Sequence, residues 1–147
     1  MRTKRRINKD KYFLEMARHV STRATCPRRS VGCVLVDKHG HVLATGYNGV
    51  PRAYTHCIDH PCTGADLPKG LGLNKCMATH AEQNALLQCS DVMRIDTVYC
   101  TTSPCVTCAK LIGNTSAHRF VYIEDFTHTE GLELLTKLAI TIEKVEL

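Results

Sequence analysis

Two short motifs, each placed where a helix is expected to begin, constrain this chain more than any other feature. His80-Ala81-Glu82 opens a segment with helical spacing of apolar residues, and Pro104-Cys105-Val106-Thr107-Cys108 opens another. Between them, residues 96–102 read Asp-Thr-Val-Tyr-Cys-Thr-Thr, which is typical of a β-strand. Because a strand lies between the two helices, both helix starts can reach one end of the same sheet. We therefore expect the two motifs to meet.

The residue types in these motifs predict a zinc site. Cysteines three positions apart at a helix start can direct both sulfurs at one point, where the helix dipole and a metal ion favour the thiolate. With His80, Cys105 and Cys108, the site has three protein ligands. A structural zinc normally has four, whereas three leave a position for water, as in a catalytic site.

Glu82 is the predicted proton carrier of this site. It lies two residues beyond His80, so its side chain points away from the zinc-binding atom and can reach the water instead of the metal. Zinc can lower the pKa of bound water from about 15.7 to about 7, which a carboxylate alone cannot do. A carboxylate beside that water can accept its proton and pass it on.

Each motif alone has an ordinary explanation. His-Ala-Glu at a helix start is commonly a cap with solvated charge, and Cys-x-x-Cys in a cytosolic protein is as often redox-active as metal-binding. A redox protein does not require the His-Ala-Glu, and a catalytically silent zinc-binding module does not require Glu82. Together and in this order, the motifs match the known signature of zinc deaminases, His-x-Glu followed by Pro-Cys-x-x-Cys.

The remaining patterns predict one domain over residues 1–147, with a basic tail at 1–10 and a cysteine-rich loop at 50–78. We predict helices over 11–23, from 78, over 105–113 and over 129–138, and strands over 31–37, 41–46, 96–102, 119–124 and 139–146. A hairpin followed by alternating strands and helices favours a three-layer α/β/α domain with a mixed central sheet of about five strands.

From about Lys11 to its C-terminus, the chain resembles the deoxycytidylate (dCMP) deaminase family of the cytidine deaminase-like superfamily. The matching segments are Val31-Gly32, Gly46-Tyr47-Asn48-Gly49, His80-Ala81-Glu82-Gln83-Asn84-Ala85 and Thr102-Ser103-Pro104-Cys105-Val106-Thr107-Cys108-Ala109-Lys110. The resemblance implies the cytidine deaminase-like fold, one catalytic Zn²⁺ per chain, and hydrolysis of dCMP to dUMP and ammonia, which supplies dUMP for thymidylate synthesis.

Other members of the superfamily provide the alternative functions. Small cytidine deaminases that act on free nucleosides have Cys where this chain has His80, and polynucleotide editors usually carry aromatic platforms. This chain has no tryptophan, five tyrosines and three phenylalanines, so we expect no stable nucleic-acid partner. A tRNA adenosine deaminase, or another cytosine-nucleotide deaminase, is the alternative.

The resemblance also implies substrate contacts. Asn48 would hydrogen-bond the nucleotide, the backbone around Ala81 would contact the base edge, and Phe126 or Tyr122 would cover the ring. Family members often have Tyr near position 126, and ordinary core packing is the alternative for both rings. For the phosphate, Arg23 is a candidate, as are its neighbours Arg28 and Arg29, although exposed arginines are often only solvated.

Regulation and assembly are likewise implied by the resemblance. Gly46, Tyr47, Asn48 and Gly49 would belong to an effector pocket in which dCTP activates and dTTP inhibits, with Mg²⁺ accompanying the triphosphate. Family members are usually homo-oligomers and often hexamers. The net charge of +5 suits an anionic ligand, although six basic residues fall in the first eleven positions, where they can form a solvated tail.

Nine cysteines are many for 147 residues, and no apolar signal core follows the basic N-terminus. We therefore expect a cytoplasmic protein with reduced thiols and no membrane segment. Four cysteines lie outside predicted regular structure and would form a second, structural zinc site, which relatives also suggest: Cys26, Cys57, Cys62 and Cys76. His56 or His60 could replace one thiolate. The pattern places Cys33, Cys89 and Cys100 in the core.

Overall fold

The helices and strands are those of a computed structural model, which describes residues 5–26, 28–56 and 77–147. Their bounds are α1 Lys9–Ser21, β1 Gly32–Val36, β2 Val42–Tyr47, α2 Ala81–Gln88, β3 Thr97–Thr102, α3 Val106–Gly113, β4 Arg119–Glu124, α4 Glu130–Lys137 and β5 Thr141–Lys144. Cys57, Cys62, Cys76 and His60 lie outside the described residues, as does most of the predicted loop 50–78.

The five strands form one mixed sheet in the order β2-β1-β3-β4-β5. β1 pairs antiparallel with β2 and with β3, whereas β3, β4 and β5 run parallel to one another. Strands β1 and β3 are almost entirely buried, as expected of central strands covered on both faces. The prediction of a mixed sheet of about five strands is confirmed.

Helices cover both faces of this sheet. On one face, α1 buries Phe13, Leu14 and Ala17 against Val34 and Tyr99. On the other face, α2, α3 and α4 pack against a second apolar cluster, which contains Ala85, Ile112 and Leu135 among its buried side chains. The three-layer α/β/α architecture is therefore confirmed. No helix in the described part of the chain combines the length and the apolarity needed to cross a membrane.

Caps rather than apolar spacing decide where the helices begin. α1 starts at Lys9 instead of the predicted Lys11, because the Asn8 side chain accepts a hydrogen bond from Asp10 N at 2.8 Å. α2 starts at Ala81 instead of Ala78, because His80 has an extended backbone and acts as its N-cap. At the end of α4, Ala139 adopts a left-handed conformation with φ of 61°, so β5 begins two residues later than predicted.

A polar cluster around Asp10 ties α1 to the sheet. The Tyr99 hydroxyl donates to Asp10 at 2.7 Å, and the Arg119 guanidinium donates to both Asp10 oxygens at 3.3 and 3.0 Å. Arg119 also pairs with Glu143 of β5 at 3.0 Å. Burial raises the pKa of Asp10, but hydrogen bonds from Arg119 and Tyr99 outweigh it and hold the pKa below its usual value.

Replacing Asp10 by Asn should cost about 1 kcal/mol of the free energy of unfolding at pH 7, because it removes charge-assisted hydrogen bonds at a partly exposed site. A lowered folded-state pKa stabilises the protein above the unfolded value of about 3.9, and this contribution disappears as the pH falls through the folded value. The difference between wild type and Asp10→Asn should therefore shrink between about pH 5 and pH 3 in urea unfolding followed by circular dichroism.

The matched control is Glu15→Gln, which breaks the exposed pair that Glu15 makes with Arg18 at 3.4 Å on the same helix. Its stability should stay close to that of wild type at every pH. A pH-independent loss in Asp10→Asn would contradict the assigned electrostatic contribution.

Candidate active site

The first elements of the site are the N-termini of α2 and α3. His80 is the N-cap of α2, and its backbone N–H donates to Gln83 Oε1 at 2.8 Å. Cys105 is the N-cap of α3, and its Sγ accepts from the Cys108 N–H at 3.4 Å. Because cap residues have extended backbones, both side chains are held at the positive ends of helices.

The two motifs come together as the sequence predicts. His80 Nδ1 lies 3.4 Å from Cys105 Sγ and 3.3 Å from Cys108 Sγ, and all three ligand atoms lie within 4.8 Å of one another. In a tetrahedral zinc site with ordinary bond lengths, nitrogen and sulfur ligands are about 3.5 Å apart. Across the described ranges, no other group of three or more His, Cys, Asp or Glu residues is clustered in this way.

The pKa shifts of the three donors reflect their close contact with one another. A hydrogen bond donated by the Cys108 thiol to the Cys105 sulfur lowers the pKa of the Cys105 thiol to about 4, with burial opposing this and His80 assisting. That same hydrogen bond, together with burial, raises the pKa of Cys108. Without a cation the pair therefore favours a single thiolate, whereas a bound metal ion stabilises both. The hydrogen bond with Cys105 raises the pKa of His80, although burial opposes it.

Glu82 lies in the first turn of α2, with only 5% of its surface exposed. Burial raises the pKa of its carboxyl group, while its own backbone N–H and the nearby charges of His80 and Arg29 act in the opposite direction. A buried carboxyl group with a raised pKa holds a proton more readily than an exposed one, which suits it to accept a proton and pass it on.

A narrow cleft opens beside these residues. Its free volume is about 10 Å³, room for roughly one water molecule. Of the residues predicted to bind substrate, Asn48, Ala81 and Phe126 line it. Arg29, which the sequence offers only as one of three phosphate candidates, and Ser103, to which it assigns no role, line it as well.

Asn48 has both ends of its side-chain amide engaged within the fold. Its Oδ1 accepts from the Val31 N–H at 2.7 Å, and its Nδ2 donates to the Arg29 carbonyl at 3.0 Å. Asn48 therefore fixes residues 29–31, which form one wall of the cleft.

Phe126 forms the opposite wall. Its backbone N–H donates to Ser103 Oγ at 2.6 Å, and the Ser103 N–H donates to the Glu124 carbonyl at 2.9 Å. Ser103, which directly precedes Pro104-Cys105, therefore links this motif to the segment that carries the aromatic ring. Its position in the Thr-Ser-Pro-Cys motif is the only signal in the sequence that points to it.

The structure does not bring Arg23 and Tyr122 to this cleft. Tyr122 lies within β4 and packs in the core. Arg23 lines a separate pocket of about 490 Å³, together with Tyr47, Gly49 and Arg52. Two of the four predicted effector residues thus border a pocket that lies apart from the zinc ligands.

Gly46, another predicted effector residue, has a clear packing role. A Cβ atom at Gly46 would collide with the backbones of Ala81 and Ala85 in α2. The absence of a side chain lets α2 lie directly on β2, which sets the position of His80 and Glu82. Asn84 strengthens this contact, because its Nδ2 donates to the Tyr47 carbonyl at 2.7 Å.

Cys26 is buried, but it is the only member of the predicted structural zinc set inside the described ranges. Cys33 and Cys100 are buried neighbours on β1 and β3, as the core assignment predicts, whereas Cys89 is half-buried at the end of α2.

Gly46→Ala should displace α2 and thereby weaken the metal site. The collision is with backbone atoms that cannot rotate away, so we expect a loss of about 1–3 kcal/mol in the free energy of unfolding. Zinc content after dialysis, measured by atomic emission, should fall in parallel because His80 moves with the helix.

Gly113→Ala is the matched control, since a methyl group there meets only the tip of the exposed Leu138 side chain. It should keep the wild-type zinc content. Full zinc retention in Gly46→Ala would show that α2 does not need this close approach.

Comparison with known proteins agrees with this geometry. A family profile described as the cytidine and deoxycytidylate deaminase zinc-binding region matches residues 7–124. Deoxycytidylate deaminase from Mycobacterium phage D29 is 39% identical, over 77% of this chain and 92% of its own length. The crystal structure of dCMP deaminase from cyanophage S-TIM5 in complex with dCMP and dUMP aligns with a TM-score of 0.75 at 28% identity, covering 97% of this chain and all of that one.

The chain belongs to the cytidine and deoxycytidylate deaminase family. Deoxycytidylate deaminase from Saccharomyces cerevisiae is 36% identical over 92% of this chain, but the chain spans only 44% of that protein. For the deoxycytidylate deaminase of Schizosaccharomyces pombe, the matched share of the relative is 40%.

Proposed function

We propose that this protein hydrolyses dCMP to dUMP and ammonia. The observation that carries the proposal is the meeting of His80, Cys105 and Cys108 beside the buried carboxyl group of Glu82, in a chain of the dCMP deaminase family. The cyanophage relative, whose crystal structure holds dCMP and dUMP, supports the choice of substrate.

His80, Cys105 and Cys108 are the residues that would hold Zn²⁺, and a bound zinc ion supplies a Lewis acid that activates water for attack on C4 of cytosine. Glu82 accepts the proton of the attacking water and delivers it to N3 of the base. It then takes the proton of the hydroxyl group now on C4 and delivers it to the amino nitrogen. The C4–N bond breaks, ammonia leaves, and the C4 oxygen becomes the carbonyl of uracil. Burial suits Glu82 to both transfers, because it keeps the carboxyl pKa above its usual value.

Substrate contacts follow from the cleft walls. In this proposal the cytosine ring stacks on Phe126 and the backbone at Ala81 contacts the base edge. Asn48 holds the wall formed by residues 29–31 against the nucleotide. The phosphate is assigned to Arg29, since Arg29 lines the cleft and Arg23 does not.

Glu82→Gln should reduce dCMP turnover by about 10²–10⁴-fold, because the amide cannot carry the proton, while zinc content and thermal stability stay near wild type. Turnover is measured as ammonia release and as the loss of cytosine absorbance. Glu130→Gln, an exposed carboxylate at the start of α4, is the control and should retain full activity.

The same assay tests substrate choice. We expect turnover of dCMP and little of deoxycytidine, because a phosphate contact that stabilises the transition state is lost with the phosphate. If the wild-type protein deaminates a tRNA anticodon stem-loop and ignores dCMP, the alternative function is correct.

We further propose that the pocket beside β2 is the effector site, in which dCTP activates and dTTP inhibits. Its volume of about 490 Å³ suits a nucleotide, and Arg23 and Arg52 offer two guanidinium groups to a triphosphate, with Mg²⁺ as its companion. Tyr47 and Gly49 line the same pocket, which supports the assignment of the Gly46–Gly49 motif.

Arg52→Ala should raise the dCTP and dTTP concentrations needed for half-maximal response by about tenfold or more, because it removes charge-assisted hydrogen bonds to phosphate. Activity without effector should not change. Arg18→Ala, on the exposed surface of α1, is the charge-matched control. A wild-type rate that ignores both triphosphates would eliminate this effector role.

Three further parts of the proposal come from the sequence and from the family resemblance. They are a homo-oligomer, expected to be a hexamer; a second, structural zinc held by Cys26, Cys57, Cys62 and Cys76; and a cytoplasmic location. The burial of Cys26 is compatible with a ligand role. Each stays a prediction from the sequence.

A further inference from the structure

The two walls of the catalytic cleft touch each other through one side-chain pair. The Arg29 guanidinium carbon lies 5.0 Å from the centroid of the Phe126 ring, in cation–π contact, and both residues line the cleft. Phe126 is only 8% exposed. One face of the Phe126 ring is therefore covered by a cation from the opposite wall of the cleft.

The backbones on both sides of this contact are fixed. Ser103 holds the Phe126 N–H at 2.6 Å, and Asn48 holds the Arg29 carbonyl at 3.0 Å. The Arg29 side chain itself is long and half-buried, and within residues 5–26, 28–56 and 77–147 it forms no ion pair with a carboxylate. Arg29 is therefore the part of the two walls that can move most easily.

The free volume of about 10 Å³ decides how a base can enter. This space accepts one water molecule and is far too small for a pyrimidine ring. Since Ser103 fixes the backbone of Phe126, the movement that opens this ring face to a base at least cost is departure of the flexible Arg29 guanidinium.

We propose that Arg29 determines specificity by exchanging partners: the incoming base displaces its guanidinium from the Phe126 ring, and the guanidinium then binds the phosphate of the same ligand. This inference rests on the proposed function, because it requires a pyrimidine nucleotide in the cleft. Every ligand must break the cation–π contact, but only one that carries a phosphate offers the guanidinium a stronger partner. Arg29 thus favours the nucleotide and also disfavours the nucleoside.

The exchange predicts opposite effects of one substitution on two ligands. In Arg29→Ala the ring face is open, so deoxyuridine should bind at least about fivefold more tightly than to wild type, the factor that one partly buried cation–π contact represents. dUMP should bind about tenfold more weakly or worse, because its phosphate loses a charged partner. Calorimetric titration of the zinc-loaded protein measures both affinities, and these product ligands are not turned over.

Two further variants keep the test independent of folding defects. Arg29→Gln retains most of the side-chain length without the charge and should give the same opposite effects. Arg18→Ala removes one positive charge from the exposed surface of α1 and should leave both affinities within about twofold of wild type. Thermal unfolding of each variant checks that the fold is intact.

Weaker dUMP binding with unchanged or weaker deoxyuridine binding would overturn the exchange and leave Arg29 as a simple phosphate ligand. No change for either ligand would remove Arg29 from recognition altogether. If wild type itself binds neither ligand, the proposed function fails as well, and this result differs from the first two because it does not depend on a variant.

Discussion

The site depends on two helices that begin at the same end of the sheet. His80 and Cys105 occupy the N-caps of α2 and α3, so their side chains face one point while their backbones still start the helices. The positive end of each helix dipole favours the thiolate form of the cysteines. Close packing holds this arrangement: Gly46 allows α2 onto β2, and Gly131 allows α4 to approach the backbone of Pro104 and Cys105. A side chain at Gly46 would shift α2, and one at Gly131 would push α4 and the start of α3 apart.

The metal-ligand cluster could be predicted from the sequence because its information is local. Cys105 and Cys108 share one helical turn, and the apolar pattern identifies that turn without tertiary contacts. The helix limits predicted from the sequence are less accurate. α1 and α2 begin where the hydrogen bonds of Asn8 and the extended backbone of His80 place them, and the apolar pattern does not show this. The difference is important for His80, which lies inside the predicted helix but caps the observed one.

The walls of the cleft could not be predicted in the same way, because they depend on strand register. β3 and β4 are parallel, with Thr102 opposite Glu124, so the residues just after each strand meet at one edge. This register brings Phe126 beside Ser103 and leaves Tyr122 opposite Cys100 inside the sheet. From the sequence alone, both rings were equal candidates. Arg29 lines the cleft and Arg23 lines another pocket because of the path that the chain takes between α1 and β1. No local sequence pattern determines that path.

Rigid and movable parts of this site have different tasks. Glu82 and the three candidate ligands lie on helices or their caps, and Ser103 and Asn48 use hydrogen bonds to fix the backbone of the two walls. Such fixed placement suits proton transfer, where small displacements are costly. Arg29 instead reaches the site through a flexible side chain and a weak cation–π contact. A weak contact that can be exchanged for a stronger one suits recognition, because the ligand itself then supplies the free energy that opens the cleft.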